Sequence, residues 1–141
     1  MYDIQVWGSS IHINQLESPQ KRVIRMINNK VYNSHTDPRF RHNNILKILD
    51  LYQFLRALFA HNYKHNSLPR SFRNYFITHN QNKTNLKHSD YIFLQRPSTK
   101  FSSLLPVHQV PSIWNSTSND VLSIQNRNVF KSRVKKSFIK S

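Results

Sequence analysis

The sequence is short of three kinds of residue on which many protein functions depend. Its 141 residues include one Gly, no Cys and six acidic residues. Phosphate-cradling and dinucleotide-binding loops need several glycines to bring backbone N–H groups against phosphate, so a single Gly excludes nearly all of them. The absence of Cys excludes disulfide frameworks, thiolate zinc sites and cysteine nucleophiles.

The few acidic residues are also too scattered to suggest an active site. They are Asp3, Glu17, Asp37, Asp50, Asp90 and Asp120, each at least thirteen positions from the next. Metal-dependent polymerases and nucleases need two or three convergent carboxylates, and no motif for a nucleophilic serine is present. His61 and His65 are i, i+4 neighbours, but no third metal ligand is near them. We therefore expect no enzymatic activity, no metal, no cofactor and no small-molecule substrate.

What the chain has in excess is positive charge. It carries 21 Lys and Arg residues and a formal charge of +15 with His neutral. A surplus of this size attracts polyanions, which indicates nucleic acid or an anionic membrane as the partner. No apolar run approaches the roughly 20 residues of a membrane span, and the first residues lack the basic and apolar regions of a signal peptide. We expect an intracellular protein of the nucleus or cytoplasm.

The periodicity of apolar residues predicts an all-α fold, a small irregular helical domain with long loops. A first helix is predicted between about 13 and 29, with Leu16, Gln20, Val23, Ile24 and Ile27 on one face. Pro19 interrupts this pattern. Either the helix begins there, with Ser18 as its N-cap, which we favour, or a short helix precedes it.

A broad apolar arc near 50–66 predicts the central core helix, with Asp50 as its N-cap. We assign 1–76 to one helical region built around this helix. The segment 77–112 is rich in Asn, His, Ser and Pro, and is predicted to be extended and loop-rich. The segment 113–141 is predicted to hold a Trp114 anchor and a basic C-terminal helix that packs through Phe130, Val134 and Phe138.

Two basic helix faces are the candidate contacts with nucleic acid. The candidate residues are Lys21, Arg22, Arg25 and Lys30 on the first helix, and Lys131, Lys135 and Lys136 on the last. A charged helix face is often merely solvated. On the first helix, however, only Glu17 can pair with Lys21, and unpaired positive charges repel one another. The apolar stripe of the last helix is narrow and lacks Trp and Leu, which disfavours a membrane.

Several segments, in order, resemble the end of a non-LTR, jockey-like retrotransposon reverse transcriptase. The segments are Tyr2-x-Ile4-x-Val6-Trp7-Gly8, Leu16-x-x-x-Gln20-Lys21-Arg22-x-Ile24-Arg25-x-Ile27, Ser34-His35-Thr36-x-Pro38-x-Phe40, Asn44-Ile45-Leu46-Lys47-Ile48-x-Asp50-Leu51-Tyr52, Leu68-Pro69-x-x-Phe72-x-x-Tyr75-Phe76, Pro111-x-Ile113-Trp114-Asn115-Ser116 and Phe130-Lys131-x-x-Val134-Lys135-Lys136. The resemblance covers essentially the whole chain. The ordered set of segments, at these spacings, is specific.

The resemblance implies a fragment of a larger polymerase, corresponding to its late thumb and C-terminal extension. That region of the family is helical and contacts template and primer, while the catalytic aspartates lie upstream in the palm. The implied function is a truncated remnant of an RNA-directed DNA polymerase, with at most non-specific binding of the RNA or DNA backbone. The alternative is a small basic nucleic-acid-binding or interaction protein unrelated to polymerases.

Overall fold

The computed structural model of the protein describes residues 12–77 and 91–140. Within these ranges the chain forms seven α-helices, two short 3-10 helices and no β-sheet, which confirms the predicted all-α class. The α-helices are α1 (Glu17–Ile27), α2 (Asp37–His42), α3 (Ile48–Lys64), α4 (Lys100–Ser103), α5 (Pro106–Ser116), α6 (Asn119–Leu122) and α7 (Arg127–Lys140). The 3-10 helices are Ile13–Leu16 and Arg70–Phe72.

The core is built around α3. This helix packs most extensively against α5 and α7, and its buried residues lie on several sides of it, among them Phe54, Leu55 and Leu58. An apolar arc this wide needs more than one neighbour to cover it. Trp114 of α5 and Phe130 of α7 supply the largest of the fully buried side chains. Trp7, the other tryptophan, lies outside the described residues.

The N-terminus of α3 is capped from α1 and not by Asp50. The helix begins at Ile48, two residues before the predicted cap, and Asp50 lies in its first turn. The Gln20 side chain accepts a hydrogen bond from the Ile48 N–H at 2.9 Å and donates one to the Leu46 carbonyl at 2.9 Å. Because a distant side chain satisfies this N–H, the helix does not depend on a local N-cap for it.

The start of α1 also differs from the favoured interpretation. The 3-10 helix Ile13–Leu16 precedes α1, which begins at Glu17, so Ser18 is not an N-cap. Pro19 is the third residue of α1, where the backbone N–H has no intrahelical partner to lose. The predicted apolar face is only partly buried, since Ile24 is 2% exposed but Ile27 is 61% exposed.

The prediction of an extended, loop-rich segment over 77–112 is wrong for part of its length. Within it, α4 begins at Lys100 with a reciprocal cap between Thr99 and Ser102, and α5 begins with Pro106 at a position that favours proline. Pro111 lies inside α5, although a proline in a helix interior removes a backbone hydrogen bond. Burial of Val110, Pro111 and Trp114 in the core offsets this loss.

Residues 91–97 form a strap that α5 holds in place. Asn115 accepts a hydrogen bond from the Ile92 N–H at 3.1 Å and donates one to the Ile92 carbonyl at 2.9 Å. Further along, Nδ1 of His108 lies 3.1 Å from the Gln95 carbonyl. Because a carbonyl can only accept, Nδ1 is the protonated ring nitrogen in this contact.

Asparagine ends three of the helices. Asn29, Asn44 and Asn66 have positive φ, at 50°, 54° and 52° respectively. Each follows the last turn of its helix, and the next N–H bonds back to a carbonyl five residues earlier, as in Lys30 to Arg25. This is the Schellman arrangement, in which glycine is the usual residue and asparagine the next choice.

Candidate nucleic-acid interface

A cleft of about 880 Å³ lies between α1 and the loop that leads into α2. Three of the predicted contacts, Lys21, Arg22 and Arg25, line one wall of this cleft. The loop from Tyr32 to Asp37 lines the other wall. The Gln20 bonds to the start of α3 fix the position of α1 and therefore of the basic wall.

The three cations are not equally available to a ligand. Lys21 forms an ion pair with Glu17 at 2.6 Å, the i, i+4 pair that the spacing predicts. Arg22 is exposed and forms no ion pair among the described residues. It is therefore the residue of the three whose charge most directly faces an incoming phosphate.

Arg25 combines a structural role with its charge. Its Nε donates a hydrogen bond to the Ser34 carbonyl at 3.1 Å, and its guanidinium lies 5.5 Å from the centre of the Tyr32 ring. These contacts tie the loop to α1 and hold the cleft in shape. No carboxylate pairs with Arg25 in the described part of the chain, so its positive charge is not neutralised.

The acidic residue at the far wall is neutralised by a lysine. Asp37 forms an ion pair with Lys47 at 2.9 Å. This hydrogen bond lowers the pKa of the Asp37 carboxyl, and the charges of Lys47, Lys21 and Arg41 lower it further. Asp37 is therefore ionised at neutral pH, but its charge offsets that of Lys47. The field in the cleft is set by the two arginines.

The other predicted contacts lie elsewhere. Lys30 follows α1, is exposed and does not line the cleft. Lys131 and Lys136 are exposed on α7, and Lys135 is half-buried beside the stripe of Phe130 and Val134 that faces the core. None of the three α7 lysines lines the cleft. The α7 lysines form a second basic surface.

Sequence reasoning missed two residues that shape these surfaces. The periodicity places Gln20 on the inner face of α1, and its capping of α3 has no local signal because its partners are 26 and 28 residues away. Arg56 was not singled out, although it lies within the apolar arc of α3 and is buried. A charged residue inside an apolar arc is a signal that sequence alone contains.

The histidine pair of α3 has a packing role. His61 is buried, its Nε2 lies 2.8 Å from the Ile124 carbonyl, and its ring stacks on Phe130 with centroids 4.2 Å apart. Burial is the main cause of a lowered His61 pKa. Across residues 12–77 and 91–140 there is no group of three or more His, Asp or Glu side chains placed to hold a metal ion.

The same two ranges contain no helix whose length and apolar character would allow it to cross a membrane. Comparison of the chain with protein families, with curated proteins and with solved structures gave no match.

Proposed function

We propose that this protein binds the phosphate backbone of RNA or DNA, without sequence preference, through the cleft beside α1. The observation that carries the proposal is the basic wall of the cleft, where Arg22 and Arg25 carry charge that no described carboxylate neutralises. Arginine presents several N–H donors in a planar fork that matches phosphate oxygens. Contacts of this kind position a protein on a strand but read no sequence.

An aromatic ring beside the arginines favours an unpaired strand as the ligand. Tyr32 lines the cleft and is 69% exposed. Exposed aromatic rings next to basic residues stack on unpaired bases, and this stacking tolerates any base. We therefore expect single-stranded RNA or DNA to bind more tightly than a duplex of the same length.

We also propose that the chain is the C-terminal part of a non-LTR reverse transcriptase that lacks the catalytic palm and has no enzymatic activity of its own. The ordered segments support this origin, and the all-helical fold agrees with the helical thumb that it implies. The alternative is a small basic binding protein unrelated to polymerases. Both origins predict the same binding and a location in the nucleus or cytoplasm. The genomic sequence upstream distinguishes them, since a palm-like segment with paired aspartates supports only the first.

Fluorescence anisotropy with a labelled single-stranded RNA, at salt concentrations from 50 to 300 mM, tests the binding. If the surface contacts about six phosphates of a single strand, the logarithm of the association constant falls against log salt with a slope near −4. Changing Lys21, Arg22 and Arg25 together to Gln should flatten this slope by about two. Arg22→Gln alone should flatten it by about 0.7.

Arg70→Gln is the matched control, because it removes the same charge from an exposed site outside the cleft. We expect this variant to keep the slope of the unchanged protein to within about half a unit, as it removes no phosphate contact. Equal losses in the Arg22 and Arg70 variants would show that net charge, and not the cleft, determines binding. No binding at 50 mM salt would refute the proposal.

A further inference from the structure

A second cleft, of about 620 Å³, lies between α3, the strap and the α4–α5 region. Arg56 of α3 lines this cleft and is only 5% exposed. Its guanidinium lies over the Tyr52 ring, 3.7 Å from the ring centre. Within the described chain, its Nε and Nη2 atoms are buried and have no hydrogen-bond partner.

A buried cation without a carboxylate is energetically costly. Burial lowers the pKa of Arg56 to about 10, so the guanidinium is still charged at neutral pH. Removing such a group from water costs several kcal/mol unless an anion and hydrogen bonds compensate. The side chains that line the cleft provide no such anion, because none is acidic: they are Leu49, Tyr52, Gln53, Arg56, Leu94, Gln95, Pro97, Ser103, His108, Gln109, Ser112 and Ile113.

The two unpartnered nitrogens define the kind of group that would satisfy Arg56. Nε and Nη2 share one edge of the guanidinium, so their N–H bonds run parallel to each other. Such an edge fits two oxygens of one phosphate or carboxylate, which is the strongest geometry available to arginine. Tyr52 covers a face of the guanidinium and does not occupy this edge.

The rest of the cleft favours phosphate over carboxylate. A phosphate has further oxygens that need donors, and the side chains of Gln53 and Ser112 line the cleft beside Arg56 without a hydrogen bond in the described structure. Leu94, Pro97 and Ile113 supply an apolar wall for an organic substituent. The volume lies within the range of small-ligand sites.

We propose that the Arg56 cleft binds a phosphate group, with two phosphate oxygens accepting hydrogen bonds from Nε and Nη2 of Arg56. Because Nε and Nη2 are buried in this structure, phosphate binding requires the guanidinium to turn this edge into the cleft. The phosphate belongs either to a small phosphate ester or to the 5′ end of a nucleic-acid strand. This site is independent of the α1 cleft, since the two share no lining residue.

Titration of the full chain with inorganic phosphate, with sodium chloride adjusted to constant ionic strength, tests the site directly. The Nε–H resonance of Arg56 in ¹H–¹⁵N NMR spectra should shift and saturate. Thermal unfolding in the same buffers should show a rise in the midpoint that saturates with phosphate. An Arg56 resonance that does not move while phosphate is added would overturn the proposal, and this measurement needs no variant.

Two substitutions separate the phosphate site from a purely structural arginine. Arg56→Met removes a buried, unpaired cation, so we expect a protein at least as stable as the original that no longer responds to phosphate. Arg56→Lys keeps the charge but loses the paired edge, and should weaken phosphate binding at least tenfold. Arg70→Gln, at an exposed site that lines neither cleft, is the control and should respond to phosphate as the unchanged protein does. Equal responses of the Arg56→Met variant and the unchanged protein would refute the site.

Binding measurements with two further kinds of ligand, oligonucleotides and a nucleoside monophosphate, distinguish a strand end from a small phosphate ester. A 5′-phosphorylated oligonucleotide and its 5′-hydroxyl counterpart bind the α1 cleft alike, so any Arg56-dependent difference between them assigns the site to strand ends. Equal affinities, together with saturable binding of a nucleoside monophosphate that Arg56→Met abolishes, assign it to a small ester. If Arg56→Met changes the binding of neither ligand, the phosphate site is refuted. The proposed function is refuted by different results: no RNA binding at 50 mM salt, normal RNA binding by the Arg22 variants, or equal losses in the Arg22 and Arg70 variants.

Discussion

The helices α1 and α3 carry the two clefts, yet the core holds them to very different degrees. In α1 the polar and apolar residues are more sharply separated than in α3, but the only buried residue of α1 is Ile24. In α3, eight of the seventeen residues are buried, including Arg56 and His61. A clear amphipathic pattern therefore does not predict how many residues of a helix are buried. The extent of burial depends on how many neighbouring elements reach the helix.

This difference explains why the two clefts hold their arginines in different ways. On α1, Arg22 and Arg25 lie at the surface, where water screens their charge and a long polymer can reach them. On α3, Arg56 is only 5% exposed, and the cleft that it lines is bounded by the strap and α5. This contrast agrees with the two proposed roles, contact with a polyanion for α1 and selection of a single anionic group for α3.

Truncation of one apolar residue in each helix should give the largest contrast. Phe54→Ala in α3 leaves a cavity in the core and should lower the free energy of unfolding by about 3–5 kcal/mol. Ile27→Ala in α1 should change it by less than about 0.5 kcal/mol, because Ile27 is largely exposed. Urea unfolding followed by circular dichroism measures both. Similar losses in the two variants would mean that α1 is part of the core.

Loss of the connection between the helices should have an intermediate effect. Gln20→Ala leaves the Ile48 N–H and the Leu46 carbonyl without their partner, which should cost about 1–3 kcal/mol in unfolding experiments. Gln15→Ala, at an exposed position just before α1, is the control and should cost less than about 0.5 kcal/mol. Because α1 carries the basic wall, Gln20→Ala should also weaken RNA binding, and the control should not. A Gln20 variant as stable as the control would show that the two hydrogen bonds contribute nothing net.

A change in pH should have the smallest effect, and it should act on α3. The folded-state pKa of His61 is below its ordinary value of 6.5, so the unfolded chain binds the proton more readily. The contribution of neutral His61 is therefore fully present above pH 6.5 and is lost as the pH falls from there towards the folded-state pKa. Thermal melts between pH 7.5 and 5 should show the midpoint decreasing over this window.

Variants separate His61 from the other groups that titrate. His61→Gln should remove much of the decrease in midpoint below pH 6.5, whereas His42→Gln, at an exposed position on α2, should keep it. Burial raises the pKa of Asp50, so protonation of that carboxyl favours the folded state at lower pH and acts in the opposite direction. An identical pH dependence in the His61 and His42 variants would contradict the assignment.

The elements that sequence predicted well are those whose own residues carry the signal. The long apolar arc of α3 and the spacing of Phe130 and Val134 in α7 indicate helices that face a core, and both helices are present. Helical spacing also places Lys21, Arg22 and Arg25 near one another, and the three side chains line the same cleft. Local patterns of this kind do not depend on where the rest of the chain lies.

The features that sequence did not predict depend on distant parts of the chain. Pro106 and Pro111 obscured α5, because the burial that compensates for Pro111 comes from tertiary packing. The capping of α3 by Gln20 joins residues 28 positions apart. The cleft around Arg56 needs the strap and α5 as walls, neither of which was predicted. Lys30 was grouped with the basic wall by its position in sequence, but the end of α1 separates it from the cleft.

Asparagine occupies three helix ends where glycine is the usual residue, and this substitution has a consequence for the unfolded chain. Glycine would hold these positive φ angles with less strain, but it would also give the unfolded chain more conformations to lose on folding. Asn29, Asn44 and Asn66 accept some local strain in the native state. Compared with glycine, asparagine gives the unfolded chain fewer backbone conformations, so less conformational entropy is lost on folding. For a small and highly charged chain, a restricted denatured state is a source of stability that no contact in the folded structure displays.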